Sequence, residues 1–364
     1  MIEKLFTPFT AGEIEADNRL VMAPLTRNRA DNETGEVGEM HVDYYRQRAG
    51  AGIIITEATQ ISPEGKGYFQ TPGIHSEGQV AAWRKVTEAV HEEGGKIVLQ
   101  LWHVGRISHT SLQPDNAQPV APSAIAAEVK TFTPNGFEAT SEPRALELDE
   151  MPRVVADFAH AARMARKAGF DGVEVHGANG YLLDQFLKTG SNHRDDAYGG
   201  SVENRARLLF EVLDAVTEVW GGPRVGLRLS PFSPANGIED AKPQETFEHV
   251  VRGLNRSNLA YLHLVEGATG GSRALAEGES IKALRKLFDG PYMANNGYDR
   301  EMAIAAVAKG EADLIAVGRP FIANPDLPRR WQMNGPLNEG DSTTYYGGGR
   351  AGFTDYPALE TTTA

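Results

Sequence analysis

The sequence predicts an eight-stranded (β/α) barrel, the TIM-barrel form of the α/β class, with an N-terminal hairpin and a capping insertion after the third strand. Three observations predict it. Eight short runs rich in β-branched residues recur, each ending where polar residues or glycine begin. The runs are near-continuously apolar, the pattern of parallel strands covered on both faces. Helical patterns lie between them, which is the alternation of a barrel. A doubly wound open sheet alternates in the same way, so periodicity alone leaves both arrangements open.

In chain order, residues 1–18 read as a short hairpin closing the bottom of the barrel. The strands are RLVMAP (19–24), GIIITEA (52–58), KIVLQLW (96–102), DGVEVHG (171–177), RVGLRLS (224–230), AYLHLVEG (260–267), PYMANNG (291–297) and ADLIAVGR (312–319). Between them, 76–95 places Val80, Trp83, Val86, Thr87 and Val90 at three-to-four spacing. The stretch 151–169 does the same with Val154, Val155, Phe158, Ala162 and Ala165, and helices follow at 202–221, 243–257 and 299–311. Gly169, Gly221 and Gly310 stand where helix C-caps belong. Gly199-Gly200 reads as a turn and Ser201 as the next N-cap.

About 50 residues (103–150) interrupt the rhythm after the third strand. Insertions of this length in compact domains are usually lids or binding loops. Because this one follows a strand C-terminus, it belongs over the active-site face. The whole chain, 1–364, thus reads as one barrel domain with a capping subdomain at about 103–150.

Composition bounds the function. With 36 basic and 49 acidic residues the formal net charge is −13, which argues against nucleic acid or an anionic membrane as partner. No cysteine is present. That excludes disulfides, thiolate nucleophiles and cysteine-held iron–sulfur clusters. No apolar run approaches the roughly 20 residues of a membrane span, and the N-terminal segment has scattered charges and no signal-like run. A cytoplasmic protein acting on small molecules is the expectation, with monomer and dimer both open.

In a barrel, polar residues at strand C-termini face the active site. The seventh and eighth strands end in Asn296-Gly297 and Gly318-Arg319. Backbone amides at such turns hold phosphate, and Arg319 adds charge; the same glycines also read as ordinary loop residues. Gln100 offers a donor and an acceptor that match an imide edge, and Arg228 offers donors alone. A phosphate-bearing heterocycle with an imide edge is FMN, although each residue also has a structural reading. His176, Asn179 and Tyr181 form H-x-x-N-x-Y directly after the fourth strand. Two donors at this spacing can converge on one oxygen, and a neutral Tyr can donate a proton. HGANGYLLDQFLK lacks metal-ligand spacing, no Ser–His–Asp set or G-x-x-x-x-G-K-[ST] loop stands out, and GANG is too short for a dinucleotide fingerprint.

These residues lie within longer motifs: MAPLTRNRA, ITEATQIS, LQLWHVGRISH, GFDGVEVHGANGYLLDQFL, SNHRDDAYGGSVENRARLLFEV and DLIAVGRPFIANPDLP. Together they resemble the old yellow enzyme family of FMN-dependent ene-reductases, nearly end to end from LFTPF to FTDYP. The stretch Asn192 to Arg205 is especially specific. The resemblance implies that Thr26 bonds the flavin C(4) carbonyl, Gln100 the pyrimidine edge, and that Arg228 sits near N(1). It implies contacts from Pro24, Leu25 and Ala58, and a phosphate cradle of Asn296, Gly297, Gly318 and Arg319. It casts His176 and Asn179 as the pair holding the substrate's activating oxygen, with His176 the member able to carry positive charge. Tyr181 is then the proton donor, and Tyr68, Trp102 and Tyr346 line the pocket. Thr26, where other relatives carry Cys, points to the branch with plant, yeast and enterobacterial members.

The implied reaction is ping-pong. NAD(P)H reduces FMN, and an α,β-unsaturated carbonyl or nitroalkene then takes hydride from flavin N(5) and a proton from Tyr181. Three other readings stand beside it. One is nitrate ester or nitroaromatic reduction on the same site. Another is a flavin-free lyase or isomerase for a phosphate ligand, with Glu57 or Glu266 as base. The third is a non-catalytic flavin-binding protein.

Overall fold

The computed structural model describes residues 3–359. Its barrel strands are β1 (Leu20–Met22), β2 (Ile53–Ile55), β3 (Ile97–Trp102), β4 (Gly172–Gly177), β5 (Val225–Leu229), β6 (Tyr261–Val265), β7 (Tyr292–Asn295) and β8 (Leu314–Val317). All neighbouring pairs are parallel, β8 pairs with β1, and the ring closes between β2, β3 and β4. Closure excludes the open sheet. All eight strands lie within the runs read from the sequence, shortened where those runs included the turns that follow.

Inward-facing residues such as Val21, Ile53, Ile55, Val98, Met293 and Leu314 form one apolar cluster with Ala11, Ile14 and Ala16 of an antiparallel hairpin, Phe9–Ala11 against Ile14–Ala16. That hairpin occupies 9–16 of the 1–18 span expected from the sequence, of which residues 1–2 lie outside the described residues. The outward-facing residues of the strands pack under the helices in a larger cluster. The helix Glu77–Glu92 begins with a capping box between Ser76 and Gln79 and buries Val80, Trp83, Val86 and Val90. Burial of each such side chain stabilises the fold by roughly 1.5–3 kcal/mol. Met151–Lys167, Val202–Trp220, Pro243–Leu254 and Arg300–Ala308 repeat the arrangement. Gly169, Gly221 and Gly310 take φ of 87°, 75° and 71° at the ends of three of these helices, a conformation that costs glycine little.

Five shorter helices have no counterpart in the sequence reading: Glu39–Arg46, Leu182–Leu187, Ile281–Arg285, Arg319–Ala323 and Leu327–Gln332. Leu182–Leu187 is buried at every position, Asp184 and Gln185 included, so it shows no amphipathic stripe.

The 103–150 insertion contains 3-10 turns, a short parallel pairing of Val120–Ala121 with Arg144–Ala145, and an antiparallel hairpin, Lys130–Thr133 with Gly136–Ala139. The Phe69 N–H donates to Phe132 O at 2.7 Å, tying the hairpin to the chain after β2. Phe132 and Phe137 face the cavity at the C-terminal mouth of the barrel. Among the described residues no helix is long and apolar enough to cross a membrane.

Candidate active site

A cavity of about 890 Å³ opens where the C-terminal ends of the strands converge. Pro24, Leu25 and Thr26, just past β1, form part of its wall. The Thr26 hydroxyl has no hydrogen bond among the described residues. Register brings the other polar groups together: His176 is level with Arg228 across β4 and β5, and Glu174 with Gln100 across β4 and β3. Arg228 is buried and donates through Nη2 to Asn295 Oδ1 at 3.1 Å, while its Nε has no partner among the described residues. An Arg buried at a cavity wall with donors unused calls for an electron-rich ligand edge. Gln100 donates to Glu174 Oε1 at 2.7 Å, and the other carboxylate oxygen, Oε2, lies 2.8 Å from His263 Nδ1. The Glu174 contact fixes the Gln100 amide and leaves its carbonyl oxygen as an acceptor. Gln100, Ala58, Trp102 and His176 are buried behind the cavity surface rather than on it.

The turns after β7 and β8 suit a phosphate. Gly297 and Gly318 line the cavity there, together with Arg319. Gly297 has φ +67°, and a Cβ built on it would meet nothing within 4 Å. The Arg319 guanidinium has no partner among the described residues. Asn296 lines the same end, but its side chain is committed elsewhere. Nδ2 donates to Glu266 O and Ala268 O (2.7 and 2.9 Å), and Oδ1 accepts from the Gly270 N–H at 3.1 Å. Asn296 thus clamps the loop after β6, and its backbone is the part available to a phosphate. A cation unpaired among the described residues beside open glycine turns after β7 and β8, together with unused Arg228 and Gln100 groups on β5 and β3, fits FMN.

On the substrate side, Asn179, Tyr181 and Tyr68 line the cavity, and Tyr346 stands at its rim, 62% exposed. The ring centroids of His176 and Trp102 each lie 5.0 Å from that of Tyr181, edge-on. The Ala178 N–H donates to His176 Nδ1 at 3.3 Å, which assigns the ring proton to Nε2. Burial, then Arg228, push the His176 pKa well below the ordinary imidazole value. The sequence lets His176 carry positive charge; burial beside Arg228 opposes that charge and favours the neutral imidazole. Burial raises the Tyr181 pKa, so the phenol keeps its proton. Asn179 has a left-handed backbone, φ 57°, with its N–H on Ser230 Oγ at 2.7 Å.

Residues 4–338 match the model of the NADH:flavin oxidoreductase / NADH oxidase family. The chain belongs to that family. It is 46% identical to 12-oxophytodienoate reductase 1 of Oryza sativa subsp. japonica, over 98% of this chain and 93% of that protein. Morphinone reductase superposes with a TM-score of 0.95 at 48% identity, covering 100% of this chain and 98% of its own. An old yellow enzyme homologue from Zymomonas mobilis superposes at 0.94 with 45% identity, covering 98% and 100%. The chain is therefore an FMN-dependent, nicotinamide-linked oxidoreductase of the old yellow enzyme family that reduces activated C=C bonds.

Several groups at this oxidoreductase's site escape a reading of strand ends. Asn295, Thr269, Phe132, Phe137 and Tyr345 line the cavity, and Glu174 supports it from behind. Thr269 carried one sequence signal, the glycine pair Gly270-Gly271 just after it. The bases a lyase would need are elsewhere. Glu57 is buried against Tyr45 and the Arg27 N–H, Glu266 accepts from the Tyr292 and Tyr298 hydroxyls (2.9 and 2.8 Å), and neither lines the cavity.

Proposed function

We propose that this oxidoreductase acts on α,β-unsaturated carbonyls and nitroalkenes, and that His176, Asn179 and Tyr181 carry the substrate half of the reaction. The observation that supports this most is a set of donors gathered at one place: the Asn179 amide and the Tyr181 phenol on the cavity wall, with the His176 Nε2–H just behind them against the Tyr181 ring.

When bound, FMN would supply the redox chemistry, hydride transfer from NAD(P)H to the substrate. Thr26, Gln100 and Arg228 would hold its ring, with Pro24, Leu25 and Ala58 packing around it. Gly297, Gly318, Arg319 and the Asn296 backbone would hold its phosphate. His176 and Asn179 donate to the substrate oxygen, where negative charge develops as hydride arrives. Fixed donors in a site shielded from water stabilise that charge without having to reorganise. Tyr181 delivers its proton to the α-carbon, and its raised pKa keeps the proton in place until the carbanionic carbon forms. Tyr68 and Trp102 hold the Tyr181 ring, and Tyr346 covers the rim.

Substrate range belongs to the cap, since Phe132 and Phe137 stand at the mouth rather than at the phosphate end. Residues 1–364 act as one FMN-binding domain, cytoplasmic, as monomer or dimer. Stopped-flow measurement of the two half-reactions tests the assignment. His176→Ala is expected to slow enone reduction by about 100- to 1000-fold and to weaken phenol binding. Full enone reduction by that variant would overturn it.

A further inference from the structure

A carboxamide has two orientations of nearly equal shape. One turns its N–H groups to the substrate and the other its carbonyl oxygen. For Asn179 the difference decides whether the residue stabilises or opposes negative charge on a bound oxygen. We propose that Thr269, on the loop after β6, is the positioning residue that fixes this orientation. The inference rests on the role given above to Asn179.

The geometry is a one-way chain of hydroxyls. Ser233 Oγ accepts from the Thr269 N–H at 3.0 Å and the Ala235 N–H at 3.4 Å. Both its lone pairs are then engaged, and its proton is directed to Thr269 Oγ1, 2.7 Å away. Thr269 in turn donates to Asn179 Oδ1 at 2.7 Å. Asn179 Oδ1 is thereby turned to the loop, and Nδ2, with its two N–H groups, is left for the cavity. With the amide reversed, Nδ2 would donate to an oxygen already accepting from Ser233, and the Thr269 proton would lose its acceptor.

The rest of the surroundings leaves the amide little other freedom. Asn236 Nδ2 donates to the main-chain carbonyl oxygen of Asn179 at 2.8 Å, fixing its backbone, and Asn296 clamps the loop bearing Thr269 through Gly270 and Ala268. Thr269 is itself exposed on the cavity wall, so its hydroxyl contributes through Asn179 rather than through core packing.

The test is a double-mutant cycle on the FMN-loaded enzyme. Thr269→Val keeps the shape and removes the donor. It is expected to raise the Kd of a phenol, titrated by flavin absorbance, and to lower kcat/KM for cyclohexenone, each by roughly five- to tenfold, the worth of one hydrogen bond. Thr269→Ser restores both. In an Asn179→Gly background, chosen because glycine accepts the left-handed backbone, Thr269→Val should change neither value by more than about twofold. An equal loss with and without the Asn179 amide, or no loss in the wild-type background, overturns the inference. If Thr269→Val does not fold, failure of Thr269→Ser to support wild-type phenol binding overturns it instead. Should Asn179→Gly alone leave phenol binding and enone reduction intact, it is the role of Asn179 that fails; a damaging Asn179→Gly with a silent Thr269→Val leaves that role standing and removes Thr269 from it.

Discussion

The phenol oxygens of Tyr68 and Tyr181 lie 3.0 Å apart, one on the chain after β2 and the other on the loop after β4. Burial raises the pKa of both, that of Tyr68 well above the ordinary phenol value. Two protonated hydroxyls in contact share one hydrogen bond, which uses one of their two protons and leaves the other for the cavity. Tyr181→Phe should slow enone reduction by about 100-fold or more while leaving phenol binding and flavin reduction by NAD(P)H near wild type. A nitroalkene, whose product is stable as an anion, should lose little. Stopped-flow traces of each half-reaction decide it: slowed flavin reduction with untouched enone reduction would remove Tyr181 from the proton step.

The same directions of shift predict a flat pH profile. His176 is held neutral because its pKa is pushed down, and Tyr181 is held neutral because its pKa is pushed up. The two shifts move both ionisations outward, away from the span between the ordinary imidazole and phenol values. The rate of the oxidative half-reaction should therefore show no ionisation of either residue across that span. A limb near pH 6.5 that disappears in His176→Ala would show that the imidazole titrates after all.

Arg228→Ala should weaken FMN retention and lower the flavin midpoint potential. Arg228 is a buried cation with an unused Nε, beside the cavity. A hydrogen bond to a charged group contributes about 1.5–3 kcal/mol, and negative charge on the reduced ring would lose it. Equilibrium dialysis and a dye-coupled redox titration measure the two effects. An unchanged potential in a variant that still holds FMN would contradict the placement of Arg228.

Glu57 makes stability depend on pH. Its carboxyl is fully buried, and desolvation raises its pKa from 4.5 to about 7. The unfolded chain releases this proton first, so between those values the native state holds more protons. Stability from this group is present at low pH and is lost as pH rises through about 7. The loss amounts to about 3 kcal/mol at most. Urea unfolding of wild type and Glu57→Gln at a series of pH values should give a steeper decline for wild type. Parallel curves would mean that Glu57 does not titrate in the folded protein.

Phe137 is 66% exposed, yet its ring lies against Phe132 at 5.2 Å between centroids, at the cavity mouth. Phe137→Ala should alter the ranking of bulky against small enones and leave FMN content unchanged. Loss of FMN with the barrel still folded would place the insertion at the wrong end of the site.

The sequence by itself determined eight buried parallel strands alternating with helices, because eight apolar β-branched runs each needed cover on both faces and the helices between them supplied one of those covers. It also marked Arg228, Tyr181, Gly297 and Arg319, since strand C-termini in this architecture face the site whatever the loops do. It did not close the ring, which depended on β3 and β4 pairing across a 50-residue insertion. Nor did it separate Asn296, which clamps a loop with its side chain, from the glycine beside it. Those distinctions need contacts between residues distant in the chain. Thr269 and Asn179 are 90 positions apart, and Gln100 and Glu174 are 74. The direction of an amide and the protonation of a buried imidazole are set by neighbours brought in from other strands, and only the tertiary structure decides who those neighbours are.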